Sequence, residues 1–346
     1  MSGSKRPYLL VAALVLACAC LLLAAIFGPA LVRTLARSAV PTPDFNGTLQ
    51  ALIHAPTLPA VGSTPTVVAA SDEPSGHIVL TCQIFKYQSS NQICIMNADG
   101  SGYRRLTTED AVQHFYPSLA PDGKSVVYSQ YRADNVYEIY EMSVTDGVSS
   151  RLTDKLGVLN SPEISPDGKS IVFMRWTPAS DQYQVWLMDR DGNRPRLAFG
   201  GTGWDPTWSP DGTRILFASD RGGTNQLYEV NAGGTGLQRV SDLPAIRGRS
   251  DWSSQGLIAT YSGGPWKHEL YAMNADGSNP HEVGPTGGNS QGPTFSPDGA
   301  WIAFTAYFDK PGDDNGCEIY IVRTDGTDLR RLTNNDYCDY QPRWGP

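Results

Sequence analysis

The sequence predicts an all-β fold: a six-bladed β-propeller of four-stranded antiparallel blades, closed by the C-terminal strand and preceded by one N-terminal transmembrane helix. Three observations lead there. The 346 residues include 35 glycines and 25 prolines, a composition of turns and short strands rather than helices. A turn of the form Ser-Pro-Asp-Gly recurs at steps of 43 to 45 residues. A second, strand-like phrase recurs in phase with it, and repetition at such a period marks a propeller or solenoid.

Along the chain, residues 1–8 form a short polar tail, and Leu9 to Val32 follow without a charged residue. At about 1.5 Å per residue that run is long enough to cross a hydrocarbon core of about 30 Å. It exceeds the roughly 7 to 15 apolar residues of a cleaved signal peptide, so it reads as a signal anchor. Lys5 and Arg6 before it balance Arg33 and Arg37 after it, and the positive-inside rule gives no orientation. Residues 33–75 are rich in Pro, Thr, Ala and Ser without periodicity, as expected of a solvated stalk. A propeller on such a stalk belongs outside the cytoplasm, in the periplasm or at the cell surface.

Residues 76–346 hold the repeats. "APDG" (120–123), "SPDG" (165–168), "SPDG" (209–212), a degraded "SSQG" (253–256) and "SPDG" (296–299) mark the first turn of successive units. In phase with them run "QICIMNADG" (92–100), "EIYEMSVTDG" (138–147), "QVWLMDRDG" (184–192), "QLYEVNAGG" (226–234), "ELYAMNADG" (269–277) and "EIYIVRTDG" (318–326). Each unit reads as a short "PTW"-like strand, the Pro-Asp-Gly turn, an apolar run such as "RILFAS", the Glu/Gln-led strand, and a last strand such as "RRLT". The first unit begins on its second strand and lacks a "P-x-W" segment. Tyr340 to Trp344, "YQPRW", matches that segment and is expected to supply it, closing the ring and removing two open sheet edges.

With its W-S-P-D-G turn, its "IY.M..DG" strand and its "RRLT" strand, the repeat resembles the WD40-like β-propeller repeat of the TolB type, over essentially all of residues 76–346. Such repeats also build the propellers of some prolyl-oligopeptidase-like and tricorn-like peptidases. The resemblance implies a binding platform for proteins or peptides, the peptidase relatives carrying their chemistry on a separate α/β-hydrolase domain. No G-x-S-x-G elbow follows a strand here, and the expected function is a non-catalytic scaffold for a protein, peptide or glycan. The other class kept open is a polysaccharide lyase or hydrolase working through funnel carboxylates.

The variable loops, between second and third strands and between units, fall on one rim, and function concentrates on loops held by a rigid scaffold. Residues just before each innermost strand should ring the central funnel: Phe115, Tyr116, Trp204, Asp205, Arg249 and Tyr340 are the candidate ligand-binding set. Aromatic rings beside Asp205 and Arg249 suit a sugar or a peptide side chain; the plainer reading is that Phe115, Trp204 and Tyr340 plug the hole. A net charge of −8 argues against nucleic acid. The five histidines lack metal-ligand spacing, and Asp309, Asp313, Asp314 and Glu318 do not match a calcium loop, so neither metal nor cofactor is expected, and the domain is expected to be a monomer. Outside the span stand four cysteines. Cys317 and Cys338 reach the same rim and suit a disulfide; Cys82 and Cys94 lie near enough to pair, and Cys94 fits equally as a small buried thiol. Disulfides would imply an oxidising compartment.

Overall fold

In the computed structural model, residues 73–84, 90–246, 248–308 and 316–346 are described. The expected span at 9–32 and most of the expected stalk lie outside them, as do Asp309, Asp313 and Asp314. Among the described residues no helix is long and apolar enough to cross a membrane.

The described residues form strands throughout. The first group is β1 (His77–Gln83), β2 (Asn91–Asn97) and β3 (Arg104–Arg105). Next come β4 (His114–Leu119), β5 (Ser125–Ala133), β6 (Val136–Ser143) and β7 (Ser149–Arg151), then β8 (Val158–Ile164), β9 (Ser170–Trp176), β10 (Gln184–Asp189) and β11 (Arg196–Leu197). The second half continues with β12 (Trp204–Trp208), β13 (Arg214–Ser219), β14 (Gln226–Asn231), β15 (Gln238–Arg239), β16 (Asp251–Trp252), β17 (Leu257–Gly264), β18 (Lys267–Asn274) and β19 (His281–Glu282). It ends with β20 (Gln291–Phe295), β21 (Trp301–Ala306), β22 (Glu318–Arg323), β23 (Arg330–Arg331) and β24 (Asp339–Gly345).

These strands make an all-β propeller of antiparallel sheets. Where the repeat predicts six separate sheets, hydrogen bonding gives four of four strands and one of eight. The eight-stranded sheet joins β4–β7 to β8–β11 through a single parallel bridge, Tyr137 to Val158, where the Tyr137 N–H reaches the Gly157 carbonyl at 3.0 Å. The first sheet has the order β24-β1-β2-β3. The last strand of the chain thus pairs with the first, Trp344 opposite Ile78 and Tyr340 opposite Thr81.

The strand composition follows from position. Middle strands such as β13, "RILFAS", lie between neighbouring sheets and are buried on both faces, so they read as continuous apolar runs instead of alternating ones. Outermost strands such as β3, β15 and β23 are only two residues long and rich in Arg, which discourages pairing with another chain. Among the described residues five hydrophobic clusters occupy the spaces between neighbouring sheets, and a sixth packs β4–β6 against β8–β10 within the eight-stranded one. One of them packs Ile78, Leu80, Met96 and Trp344 of the first sheet against Trp301 and Ile321 of the last, and so closes the ring.

Polar side chains fix each sheet from within. At the Pro-Asp-Gly turns the Asp carboxylate accepts the Ser hydroxyl, as in Ser165 to Asp167 at 2.6 Å, and the N–H two residues on, as in Lys169 to Asp167 at 3.1 Å. The degraded "SSQG" keeps the turn: Ser253 Oγ accepts the Gln255 N–H at 3.0 Å. The Glu or Gln that opens the third strand has its own partner. Thr107 donates to Gln92 at 2.6 Å, Ser241 to Gln226 at 2.6 Å and Thr333 to Glu318 at 2.6 Å. The same hydroxyls accept the next N–H of the third strand, for example Ile319 to Thr333 at 2.9 Å.

Two disulfides are present, Cys82–Cys94 across β1 and β2 and Cys317–Cys338, whose Cα atoms are 4.6 Å apart. The second joins the start of β22 to the start of β24, beside hydrogen bonds from Asp339 N to the Cys317 carbonyl at 2.9 Å and from Gln83 N to the Cys338 carbonyl at 3.0 Å. Next to it, Asp339 is buried with the Glu318 carboxylate nearby, and accepts Tyr103 at 3.1 Å and Asn335 at 2.8 Å. Burial, then the Glu318 charge, push its pKa up to about 7.

A chain ending at Tyr337 exposes an edge of β1 and should lose cooperative unfolding; a circular dichroism melt as sharp and as high as that of the intact chain would refute the closure. The Asp339 shift carries a definite sign. An unfolded carboxyl releases its proton near pH 4, about 3.9, while the folded one holds it to about 7. The folded chain therefore binds more protons between these values, and stability falls as pH rises through that window, by on the order of 4 kcal/mol if this group acts alone. Glu318 and Arg331, which pair at 3.0 Å, share the site. Asp339→Asn should flatten the fall, seen as a melting temperature raised more at pH 8 than at pH 5.

Candidate functional site: the axial funnel

The innermost strands β24, β4, β8, β12, β16 and β20 line the propeller axis. In each but β16 a Pro follows a residue in the left-handed region: Tyr116 (φ 54°), Ser161 (50°), Asp205 (49°), Gly292 (57°) and Gln341 (55°). The ladder slips at each of these points, for instance between Phe115 and Ser118 and between Trp204 and Thr207. Such bulges re-aim side chains and are conformations that only a constraining fold maintains. In β16 the Pro is replaced by Ser250, and the left-handed residue is Gly248 (φ 143°). A Cβ there would lie 2.4 Å from Asp205 Oδ2, so only glycine fits.

Two residues beyond each left-handed position, or its β16 equivalent, the strands present Ser118, Glu163, Thr207, Asp251, Thr294 and Arg343. Charged groups on β24, β8 and β16 alternate with hydroxyls on β4, β12 and β20. Arg343, 6% exposed, joins the three charged strands: Nη2 lies 2.9 Å from Glu163 Oε2 and Nη1 2.9 Å from Asp251 Oδ1. Glu163 Oε1 also accepts Thr207 Oγ1 and Trp208 N, both at 3.0 Å. Asp251 Oδ2 accepts Thr294 Oγ1 at 2.9 Å and Phe295 N at 2.7 Å. Burial drives the Glu163 pKa upward, opposed by Arg343. For Arg343, burial opposes the charge, but Glu163 and Asp251 outweigh it and the pKa rises. This network floors the funnel.

Above it opens a cavity of about 370 Å³. Of the six candidate residues, Tyr116, Asp205, Arg249 and Tyr340 line it, with Gln291, Gly292 and Gln341 beside them. Phe115 and Trp204 do not line it. Each immediately precedes a lining residue on its strand, and neighbouring strand residues point to opposite faces. Phe115 lies 6.1 Å from the Tyr137 ring, and Trp204 packs on the cluster of Leu216, Leu243 and Trp252. The sequence reading did not assign Gln83, Tyr261, Thr305, Tyr307 and Cys338 to the wall. For Gln83, Tyr261, Thr305 and Tyr307 the signal available was that second strands end on the rim where the funnel opens; Cys338 comes instead from just before β24.

Burial raises the pKa values of Tyr116 and Tyr340, Asp205 adding to the former, so both phenols are neutral. Tyr340 donates to Asn91 Oδ1 at 2.8 Å. Both oxygens of Asp205 are engaged, by Ser161 Oγ at 2.6 Å and the Arg249 N–H at 3.2 Å. On the rim, Trp266 is 49% exposed, left-handed at φ 59°, and edge-on to Tyr307 with centroids 5.4 Å apart. A larger hollow, about 670 Å³, lies off the axis against β3, β5 and β6, with Arg104, Glu109, His114 and Arg132 among its walls. Burial lowers the His114 pKa to about 4, so its imidazole is neutral. No group of three or more His, Cys, Asp or Glu residues suited to a metal occurs among the described residues.

The architecture is that of a TolB-like β-propeller. TolB from Acinetobacter baumannii superimposes with a TM-score of 0.68 at 22% identity, covering 78% of this chain and 67% of that one. A puromycin hydrolase matches at 0.52 and 17% identity, over 77% of this chain and 46% of that one. In sequence, an uncharacterized protein of Agrobacterium fabrum is 36% identical over 223 residues, 60% of this chain and 59% of the relative. The Tol-Pal system protein TolB of Alcanivorax borkumensis is 34% identical over 80 residues, 22% of this chain and 18% of the relative. The chain thus spans about three fifths of the first of these curated relatives and under a fifth of the second. No family model matches the chain.

Replacing Arg343 with Met should leave Glu163 and Asp251 buried without their counter-ion, at a cost of about 3–5 kcal/mol. Urea unfolding checks this, and an unchanged midpoint would show the floor to be energetically idle.

Proposed function

We propose that this chain is a six-bladed propeller, the eight-stranded sheet counting as two blades, that acts as a non-catalytic binding scaffold for a protein or peptide. Residues 76–346 form the propeller, 33–75 the stalk, and 9–32 the anchor that holds it outside the cytoplasm, with 1–8 a short tail. The six apolar clusters, one of them between the two halves of the eight-stranded sheet, favour six blades, and the two disulfides favour an oxidising compartment.

The observation that carries the binding reading is the funnel: a blind socket walled by Tyr116, Tyr261, Tyr307 and Tyr340, continuing to the exposed Trp266 through Tyr307. Tyr and Trp dominate binding hot spots because they bury large areas with few rotatable bonds. The carboxylates at hand are already engaged, Asp205 by hydrogen bonds and Glu163 and Asp251 by Arg343, which disfavours acid–base chemistry on a substrate. The likeness to TolB, named in one relative as part of a Tol-Pal system, agrees with a protein partner.

A photo-crosslinking residue placed at Gln291 in the full chain should yield a discrete protein adduct in native membranes. Trp266→Ala should weaken that adduct while leaving the melting temperature unchanged, since the indole is half exposed. Absence of any adduct would overturn the scaffold, and turnover of a glycan panel abolished by Asp205→Asn would put the polysaccharide-active enzyme in its place.

A further inference from the structure

Arg249 is the least balanced ionic group on the axis. It is 5% exposed. Its Nη2 donates to the Pro117 carbonyl at 3.1 Å, whereas Nε and Nη1 have no hydrogen-bond partner. A buried cation with unpaired donors is costly, and because Nε and Nη1 are themselves covered, what it offers a ligand in the cavity is its charge. The axial carboxylates act on it only through space: Asp205 and Glu163 favour its charge and Arg343 opposes it, but Glu163 and Asp251 face Arg343, and Asp205 meets the Arg249 backbone N–H and the Ser161 hydroxyl.

The neighbouring wall is also biased towards donors. Gln341 spends its side-chain oxygen on Thr81 Oγ1 at 2.9 Å and Tyr116 N at 3.0 Å. Gln83 spends its own on Cys338 N at 3.2 Å. What each amide has left is its NH2 group, of which the Gln341 one also meets the Tyr116 hydroxyl and keeps a second N–H to offer. The Tyr116 ring, 5.7 Å from the guanidinium carbon, screens the charge from water, and burial lowers its pKa only to about 10. The guanidinium is therefore charged at neutral pH, in surroundings where a charge acts strongly on its neighbours.

We propose that the funnel recognises a carboxylate of a peptide partner, seated among the Gln83 and Gln341 amides with Arg249 as its counter-ion. This deepens the scaffold reading above and rests on it. An acidic side chain and a free C-terminus offer the same group, and a peptide is favoured over a uronate because the walls are tyrosine rings with few side-chain carboxylates to take up sugar hydroxyls.

Ligand-observed NMR on the full chain in detergent tests it with defined probes: N-acetylglutamate α-amide against its glutamine isostere, N-acetylglycylglycine against its amide, and galacturonate. At least one acid should bind about tenfold more tightly than its neutral partner, and Arg249→Gln should reduce it to the neutral level; which acid responds identifies the source of the carboxylate. Equal binding of acid and amide, unchanged binding in Arg249→Gln, or tighter binding of galacturonate than of either peptide acid would each overturn the proposal. Should Arg249→Gln fail to fold, the acid–amide pairs on the unmodified chain decide alone. A Trp266-dependent adduct at Gln291 without acid preference would sink only the carboxylate; loss of the adduct itself would sink the scaffold.

Discussion

Arg343 is the residue on which the geometry of this propeller converges. It is carried by the last strand, yet its guanidinium reaches Glu163 on β8 and Asp251 on β16 across the axis, and its neighbour Trp344 enters the cluster that seals the first sheet to the last. A propeller has no continuous central core. Its sheets touch through flat faces, and the axis would otherwise be a channel. A buried cation shared by two carboxylates, each with further donors, fixes three of the innermost strands at once. Such a group gains its position only when all its partners are present, so the floor and the closure reinforce each other.

Around that centre the stabilising roles separate by radius. Between sheets, apolar clusters supply the burial. Within these sheets, a hydroxyl two residues beyond the last strand clamps the Glu or Gln that opens the third, as Thr107, Ser241 and Thr333 show. On the outside, strands of two or three residues, most of them carrying Arg, end the sheets without offering a long edge. The funnel is built where these constraints are strongest. Left-handed residues such as Tyr116, Asp205 and Gln341 sit in the bulges just above the axial floor.

Much of this was legible in the chain. The "YQPRW" tail announced a missing first strand, because the first unit starts with its second. The "RRLT" phrase and the leading Glu or Gln were visible as a repeated pair, although their mutual hydrogen bond was not. Tyr116, Asp205, Arg249 and Tyr340 could be placed at the funnel by their position in the repeat. Phe115 and Trp204 could not be excluded from it, because a slip of one residue reverses the face of a strand and the bulge that sets the register leaves no sequence sign beyond the Pro. Tyr261 and Tyr307 reach the wall from second strands, whose endpoints vary with each loop.

The sequence by itself determined the repeat, the turn chemistry and the order of the strands, since these depend on residues close together in the chain. The pairing of β24 with β1 was implied by the phase of the repeat. Only the tertiary structure decided which charges meet: Glu163, Asp251 and Arg343 occupy equivalent positions in units far apart in sequence, and nothing local reveals that alternate strands bring them within 2.9 Å. The same holds for Arg249, whose neighbours come from several strands and still leave two of its donors unpaired, because an interaction across the axis is set by ring closure and not by spacing along the chain.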